Sequence, residues 1–197
     1  MEFKRADQVN FDVRSQMSRI FVEGFYLWLN HFSKDKEKLM KAFAHIFILK
    51  HFFVMVKDNE VISMAACIQS NTPIQLERKM FSNAFGWVRG NFAYYLLNRH
   101  VGRNAYPFNL SKHTGSIEYV ATAKEYQGQG VGYDLLTHIM KIMPYTAYVL
   151  EVADTNIGAV KLYDRLGFKE FKRVKAANRR RTGVNFFLYM RRDKPQD

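Results

Sequence analysis

The stretch Gln127-Gly128-Gln129-Gly130-Val131-Gly132 decides how this chain is read, because of what flanks it. Before it, residues 116–122 form a β-prone run. After it, residues 131–143 carry Leu135, Leu136, Ile139, Met140 and Met143 at helical spacing, and Pro144 ends the pattern. A strand that passes through a glycine turn into a helix builds an anion site. The first N–H groups of the helix lack intrahelical partners and converge on one point. Glycines at Gly128, Gly130 and Gly132 let a phosphate or pyrophosphate approach where a Cβ would stand in its way. The same spacing also suits a tight turn with close helix–sheet packing, and at this level both readings stand.

Two familiar phosphate loops fit poorly. A P-loop requires Gly-Lys followed by Ser or Thr, whereas Gly130 is followed by Val131 and Gly132. A dinucleotide fingerprint requires a third glycine where Tyr133 stands. Glu151 lies at a compatible distance, but the loop comes too late in the chain to leave strands for a doubly wound sheet.

Working outward, residues 145–152 read as a second strand. Residues 154–166 read as a helix with Ala159, Leu162, Tyr163 and Leu166 inward, and Gly167 stands where a left-handed cap is expected. Two closing strands, 168–174 and 184–191, flank a basic stretch at 175–181. Upstream, residues 2–5 suit a short strand. Residues 7–32 read as one helix with Met17, Ile20, Phe21, Phe25, Trp28 and Phe32 in a stripe. Ser33 reads as the N-cap of a further helix bearing Leu39, Met40, Phe43 and Phe47. These stripes suit core, or the wall of a substrate channel. Residues 52–57 and 61–69 flank Asp58-Asn59-Glu60 as a β-hairpin. Residues 76–85 and 92–101 suit helices inside an otherwise irregular segment, 71–114. The order implies an α+β (mixed α/β) domain: a mostly antiparallel central sheet of about six or seven strands flanked by helices. No composition shift divides residues 1–197, so a single domain is expected.

The 197 residues carry 30 Lys and Arg against 18 Asp and Glu, a formal charge of +12. That balance gives affinity for anions, whether nucleic acid or a phosphorylated cofactor. One cysteine, Cys67, excludes an internal disulfide and suits a reducing compartment. The N-terminal residues have the composition of no signal peptide, and the apolar stretches are broken by Glu23, Asn30, His45 and Lys50. A cytoplasmic protein with no membrane partner is expected. His31, His45, His51, His100, His113 and His138 are scattered, so no metal site is expected.

The loop, its strand and the following unit together resemble the GNAT superfamily of acyl-CoA N-acyltransferases. Gln127-Gly128-Gln129-Gly130-Val131-Gly132 matches that family's Gln/Arg-x-x-Gly-x-Gly/Ala loop, and residues 119–126 resemble its fourth strand and lead-in. Asn156, Ala159, Leu162-Tyr163 and Leu166-Gly167-Phe168 resemble its second signature. The resemblance covers residues 115–171, with Lys124 standing where many members have proline and Thr122 where an aliphatic residue is common. Residues 71–113 resemble nothing specific.

The resemblance implies a sheet splayed between its fourth and fifth strands, with acetyl-CoA as co-substrate. It implies cofactor contacts from Val120, Ala121, Thr122, Gln127, Gly128, Gln129, Gly130, Val131, Gly132, Tyr133, Asn156, Ala159 and Tyr163. Direct transfer of an acetyl group to a primary amine of a small molecule or peptide would follow, with a backbone N–H near Val120 polarising the thioester oxygen. Tyr163 is the expected general acid, with core packing as its alternative. Asn156 either contacts pantetheine or caps its helix. Glu118 is the expected general base, placed by strand alternation on the face of Val120 and Thr122, with Glu151 in reserve. A nucleic-acid-binding or regulatory module that keeps the fold without catalysis is the alternative; nucleic acid is admitted by the charge and not favoured. A homodimer is left open.

Overall fold

A computed structural model describes residues 1–69, 72–101, 106–177 and 179–194. Residue 71 and residues 102–105 of the irregular segment, and Asn178 of the basic stretch, lie outside the described residues. So do the side chains of His100 and Arg181.

The elements follow in chain order: β1 (Glu2–Arg5), α1 (Val13–Gly24), α2 (Tyr26–Leu29), α3 (Lys36–Phe43), β2 (Phe52–Lys57), β3 (Glu60–Ile68), α4 (Arg78–Phe85), α5 (Trp87–Val101), β4 (Thr114–Thr122), α6 (Val131–Ile142), β5 (Ala147–Ala153), α7 (Ile157–Arg165), β6 (Lys169–Lys175), α8 (Arg179–Thr182) and β7 (Phe186–Asp193). The strands form one seven-stranded sheet in the order β1-β2-β3-β4-β5-β7-β6. Neighbouring strands are antiparallel except β4 and β5, which are parallel. The mixed, mostly antiparallel sheet expected from the element order is therefore present.

Two apolar layers cover the sheet. On one face, α1, α3, α4 and α5 bury Met17, Ile20, Phe43 and Phe81 against Phe52, Val54, Met64 and Ala66. On the other, α6 and α7 bury Leu135, Leu136, Ile139 and Tyr163 against Ile62, Ala65, Ile117 and Leu150. The helical spacing at 131–143 thus reports a real buried face, each such side chain stabilising the fold by about 1.5–3 kcal/mol. Among the described residues, no helix is long and apolar enough to cross a membrane.

Local chemistry sets several boundaries. Asp58 (φ 50°) and Asn59 (φ 60°) make the tight hairpin turn between β2 and β3, as the Asp-Asn pair suggests. The single helix expected over 7–32 is instead a 3₁₀ turn at Ala6–Gln8 followed by α1 and α2. The Asp12 carboxylate accepts from the Ser15 N–H at 3.2 Å and starts α1 afresh. Asp35 rather than Ser33 caps α3: its carboxylate accepts from the Lys38 N–H, while the Ser33 hydroxyl accepts from the Asp35 N–H. Phe47 lies beyond α3, in a bridge with Ile74, and reaches the core from there.

Candidate active site at the splayed strands

β4 and β5 pair only at Thr114–Ala147, Gly115–Tyr148 and Ser116–Val149. Beyond Ser116 they diverge, while β5 stays fully paired with β7 on its other side. The free edge of β4 therefore faces the free edge of β5 across a wedge, between the fourth and fifth strands as expected.

Inside the wedge β4 is irregular. Met64 pairs with Ala121 and Ala66 with Glu118, so Tyr119 and Val120 together oppose Ala65. Tyr119 has φ 53°, a left-handed conformation costing about 1–2 kcal/mol for a non-glycine residue. Its ring packs beside Phe21, Phe25 and Phe52 at 6.1–6.3 Å, which offsets the strain.

The bulge also corrects the expected placement of Glu118. Ile117 and Val120 lie in the α6–α7 layer, whereas Tyr119 and Ala121 lie in the α1–α3 layer. Glu118 sits with Ser116, whose hydroxyl donates to the Glu118 carboxylate at 2.8 Å. Ser116 is in turn hydrogen-bonded to the Tyr106 hydroxyl, and the Tyr106 ring meets Tyr189 edge-on. Glu118 thus lies on the face opposite Val120 and Thr122, because the extra residue breaks the period-2 alternation.

One cavity of about 400 Å³ opens through the wedge to both faces. Val120, Asn156 and Tyr163 reach it from the α6–α7 side. Glu118, Glu151, Trp28, Tyr106, Phe187 and Tyr189 reach it from the other. Burial pushes the Glu118 carboxyl above the usual carboxylate range; the Ser116 hydrogen bond works against this and the Glu151 charge reinforces it. Burial likewise raises Glu151, opposed by a hydrogen bond from the Tyr189 hydroxyl. Glu151 keeps an open face toward the cavity, so solvent softens that shift. Tyr163 is 5% exposed, and burial raises its phenol far above the ordinary value, keeping it protonated at neutral pH.

The glycine loop lies past the end of β4, beyond the cavity itself. Gly128 (φ 75°) and Gly130 (φ 82°) adopt left-handed conformations, and a Cβ on either would meet nothing within 4 Å. Gly130 is the N-cap of α6 and supplies no side-chain cap, so the first N–H groups of that helix remain available to a ligand. Val131 is buried in the α6–α7 layer and anchors the start of the helix. Gln127 donates to the Thr122 carbonyl at 2.9 Å and Gln129 to the Glu125 carbonyl at 2.7 Å, fixing the loop to the strand end. Gly132 has the packing role: a Cβ there would come within 3.3 Å of the Thr122 hydroxyl and 3.4 Å of Leu162. Thr122 is held by Ser63 at 2.9 Å, and the Ser63 hydroxyl also lies 3.0 Å from the Ala121 carbonyl. The Tyr133 ring lies under the Arg165 guanidinium at 4.9 Å. Asn156 caps α7 by accepting from the Ala159 N–H at 3.2 Å, and also lines the cavity.

Tyr106, Ser116, Tyr189 and Arg165 were not singled out by the sequence. Tyr106 falls in the patternless segment, and Tyr189, which its ring meets, is distant in the chain. Cys67 is buried, and burial pushes its thiol up to about 12, which removes it as a nucleophile at neutral pH. Two cations of β6, just before the basic stretch, are engaged within the protein: Lys172 donates to the Pro107 carbonyl at 2.7 Å, and Arg173 pairs with Glu170. Among the described residues, no group of three or more His, Cys, Asp and Glu side chains is placed to hold a metal.

A sheet splayed at parallel strands, a bulge in the wedge and a glycine loop opening a helix define an acyltransferase architecture. The chain belongs to the acetyltransferase (GNAT) family, whose model matches residues 16–168. Its structure is similar to that of an N-acetyltransferase from Staphylococcus aureus Mu50, with a TM-score of 0.61 and 16% identity over 97% of this chain and 100% of that one. It is also similar to a ribosomal-protein-alanine N-acetyltransferase from Brucella melitensis, with a TM-score of 0.59 and 13% identity over 98% and 100% of the two chains. No curated protein matches the sequence.

Proposed function

We propose that the protein transfers an acetyl group from acetyl-CoA directly to a primary amine of a small molecule or peptide, both substrates being bound at once. The observation that carries this reading is the wedge between β4 and β5, where one cavity takes Tyr163 from one face and Glu118 from the other. The free edge of β4 can pair with pantetheine as another strand would, and the α6 N-terminus with Gln127–Gly132 can hold the pyrophosphate. Acetyl-CoA supplies an activated thioester. The backbone N–H at the Val120 bulge is the donor assigned to its carbonyl oxygen.

The amine arrives as an ammonium, with a reference pKa of about 10.4 for a lysine-like group. Glu118 accepts its proton, since a carboxylate in a partly buried site is a stronger base than one in water. The nitrogen then forms the C–N bond, the C–S bond breaks, Tyr163 donates a proton to the departing sulfur, and the second proton shed by the nitrogen restores the Tyr163 hydroxyl. A cavity of about 400 Å³ shared by both reacting ends favours the smallest acyl group. The test is thiol release from acetyl-CoA against amino acids, small amines, peptides and aminoacyl-tRNA, with the acetylated product identified by mass. Thiol and acetylated amine appear in equal amounts if the reading holds. Thiol release independent of every amine would refute it.

A further inference from the structure

The charge lining the cavity runs against the charge of the molecule. The chain carries 30 Lys and Arg against 18 Asp and Glu, yet among the described residues the only charged side chains lining the cavity are Glu118 and Glu151. Among the described residues neither carboxylate forms a salt bridge with a basic side chain. Glu118 instead accepts from the Ser116 hydroxyl, and Glu151 lies directly opposite Tyr189 on the neighbouring strand. Hydroxyls fix direction and leave the negative charge uncompensated. The nitrogen sheds two protons in all, one to Glu118 and one that replaces the proton Tyr163 gives to sulfur, so the second carboxylate is surplus to the transfer. Glu118, half-buried, is costly as an uncompensated charge, and a cationic ligand can offset it; Glu151, open to the cavity, is accessible to the same ligand.

The remaining wall has a matching character. Trp28, Tyr106, Phe187 and Tyr189 share the face of the two carboxylates, and aromatic faces attract cations. A substrate bearing its own carboxylate would meet like charges, with no basic group to receive it among the described lining residues. We infer that the acceptor is a small amine carrying a second cationic group, with Glu151 and the aromatic wall holding the distal cation while Glu118 faces the nitrogen that reacts. This rests on the acetyl-transfer reading of the same cavity.

The test compares 1,4-diaminobutane, butylamine, 4-aminobutanoate and an alanine-headed peptide amide with acetyl-CoA. The expected order in kcat/KM places the diamine about tenfold or more above butylamine, and 4-aminobutanoate last. Glu151→Gln is expected to lower the diamine value about tenfold more than the butylamine value. Equal losses for both amines would make Glu151 a general base or a structural group and overturn the inference.

A second readout does not depend on turnover. Trp28 lines the cavity, and Trp87→Phe leaves it as the sole tryptophan, so diaminobutane binding is expected to change its fluorescence in a manner that Glu151→Gln weakens. If no amine is acetylated but this signal persists, the transfer reading falls and the dication site stands. Comparable kcat/KM for butylamine, diamine and peptide leaves transfer standing and overturns the dication site. Absence of both turnover and binding overturns both.

Discussion

Replacing Gly130 by alanine separates two roles that one loop residue combines. Gly130 has φ 82°, and a Cβ there would meet no protein atom within 4 Å. The substitution therefore makes no clash in the free protein and adds only the left-handed strain of an L-residue, about 1–2 kcal/mol. For a chain of this size that corresponds to a fall in Tm of roughly 2–8 °C. In the proposed function the open space above Gly130 receives the pyrophosphate, and the added methyl would push it from the first N–H groups of α6. Losing one charge-assisted hydrogen bond, about 1.5–3 kcal/mol, lowers coenzyme A affinity about 10–150-fold. Gly183 supplies a matched control, since its φ is 73°, its surroundings are equally empty, and it lies outside the candidate site. Calorimetric titration with coenzyme A should show a large loss for Gly130→Ala and none for Gly183→Ala, with similar falls in Tm. Pantetheine, which lacks the pyrophosphate, should bind both variants alike. A folded Gly130→Ala protein with unchanged coenzyme A affinity would refute the assignment of the loop.

Tyr163→Phe keeps the buried ring and removes the proton donor, so kcat should fall about a hundredfold while coenzyme A affinity moves little; unchanged turnover would exclude the acid role. Glu118 is held above the ordinary carboxylate range mainly by burial, so activity should be lost as pH falls through that raised value, and Glu118→Gln should abolish this limb of the profile. The same shift has a consequence for stability. The native state keeps the Glu118 proton to higher pH than the unfolded chain, so its ionisation subtracts stability as pH rises from the unfolded pKa to the folded one. Glu118→Gln should therefore raise Tm at pH 7.5 relative to wild type and have less effect at pH 4; the opposite pattern would mean that the carboxylate is stabilised in the fold.

The half of the molecule around the loop was legible because its signals are local. Glycines mark the turn, the apolar spacing of Leu135, Leu136 and Ile139 marks the buried face of α6, and Asp58-Asn59 marks a hairpin. The bulge left no such trace. Tyr119 is neither glycine nor asparagine, and its φ of 53° is held by aromatic packing from α1 and β2, which only the assembled sheet provides. Period-2 reasoning therefore put Glu118 on the wrong face, although it found the right residue for the cavity. The Tyr106–Ser116–Glu118 chain was hidden for a related reason: Tyr106 lies where no periodic pattern exists, and its partners are met only after folding. The 7–32 helix was overextended because the apolar stripe runs past the break at Phe25, whose φ of −110° ends α1.

The central claim is that thioester and amine meet in the β4–β5 wedge at the same time. Initial rates measured over a grid of acetyl-CoA and amine concentrations test it most directly, combined with mass analysis of the protein after exposure to acetyl-CoA alone. Simultaneous binding gives intersecting double-reciprocal lines and a protein of unchanged mass. Parallel lines with a protein that has gained one acetyl group would contradict it, placing a covalent intermediate on a chain whose one thiol, Cys67, is buried, protonated and outside the lining of the cavity.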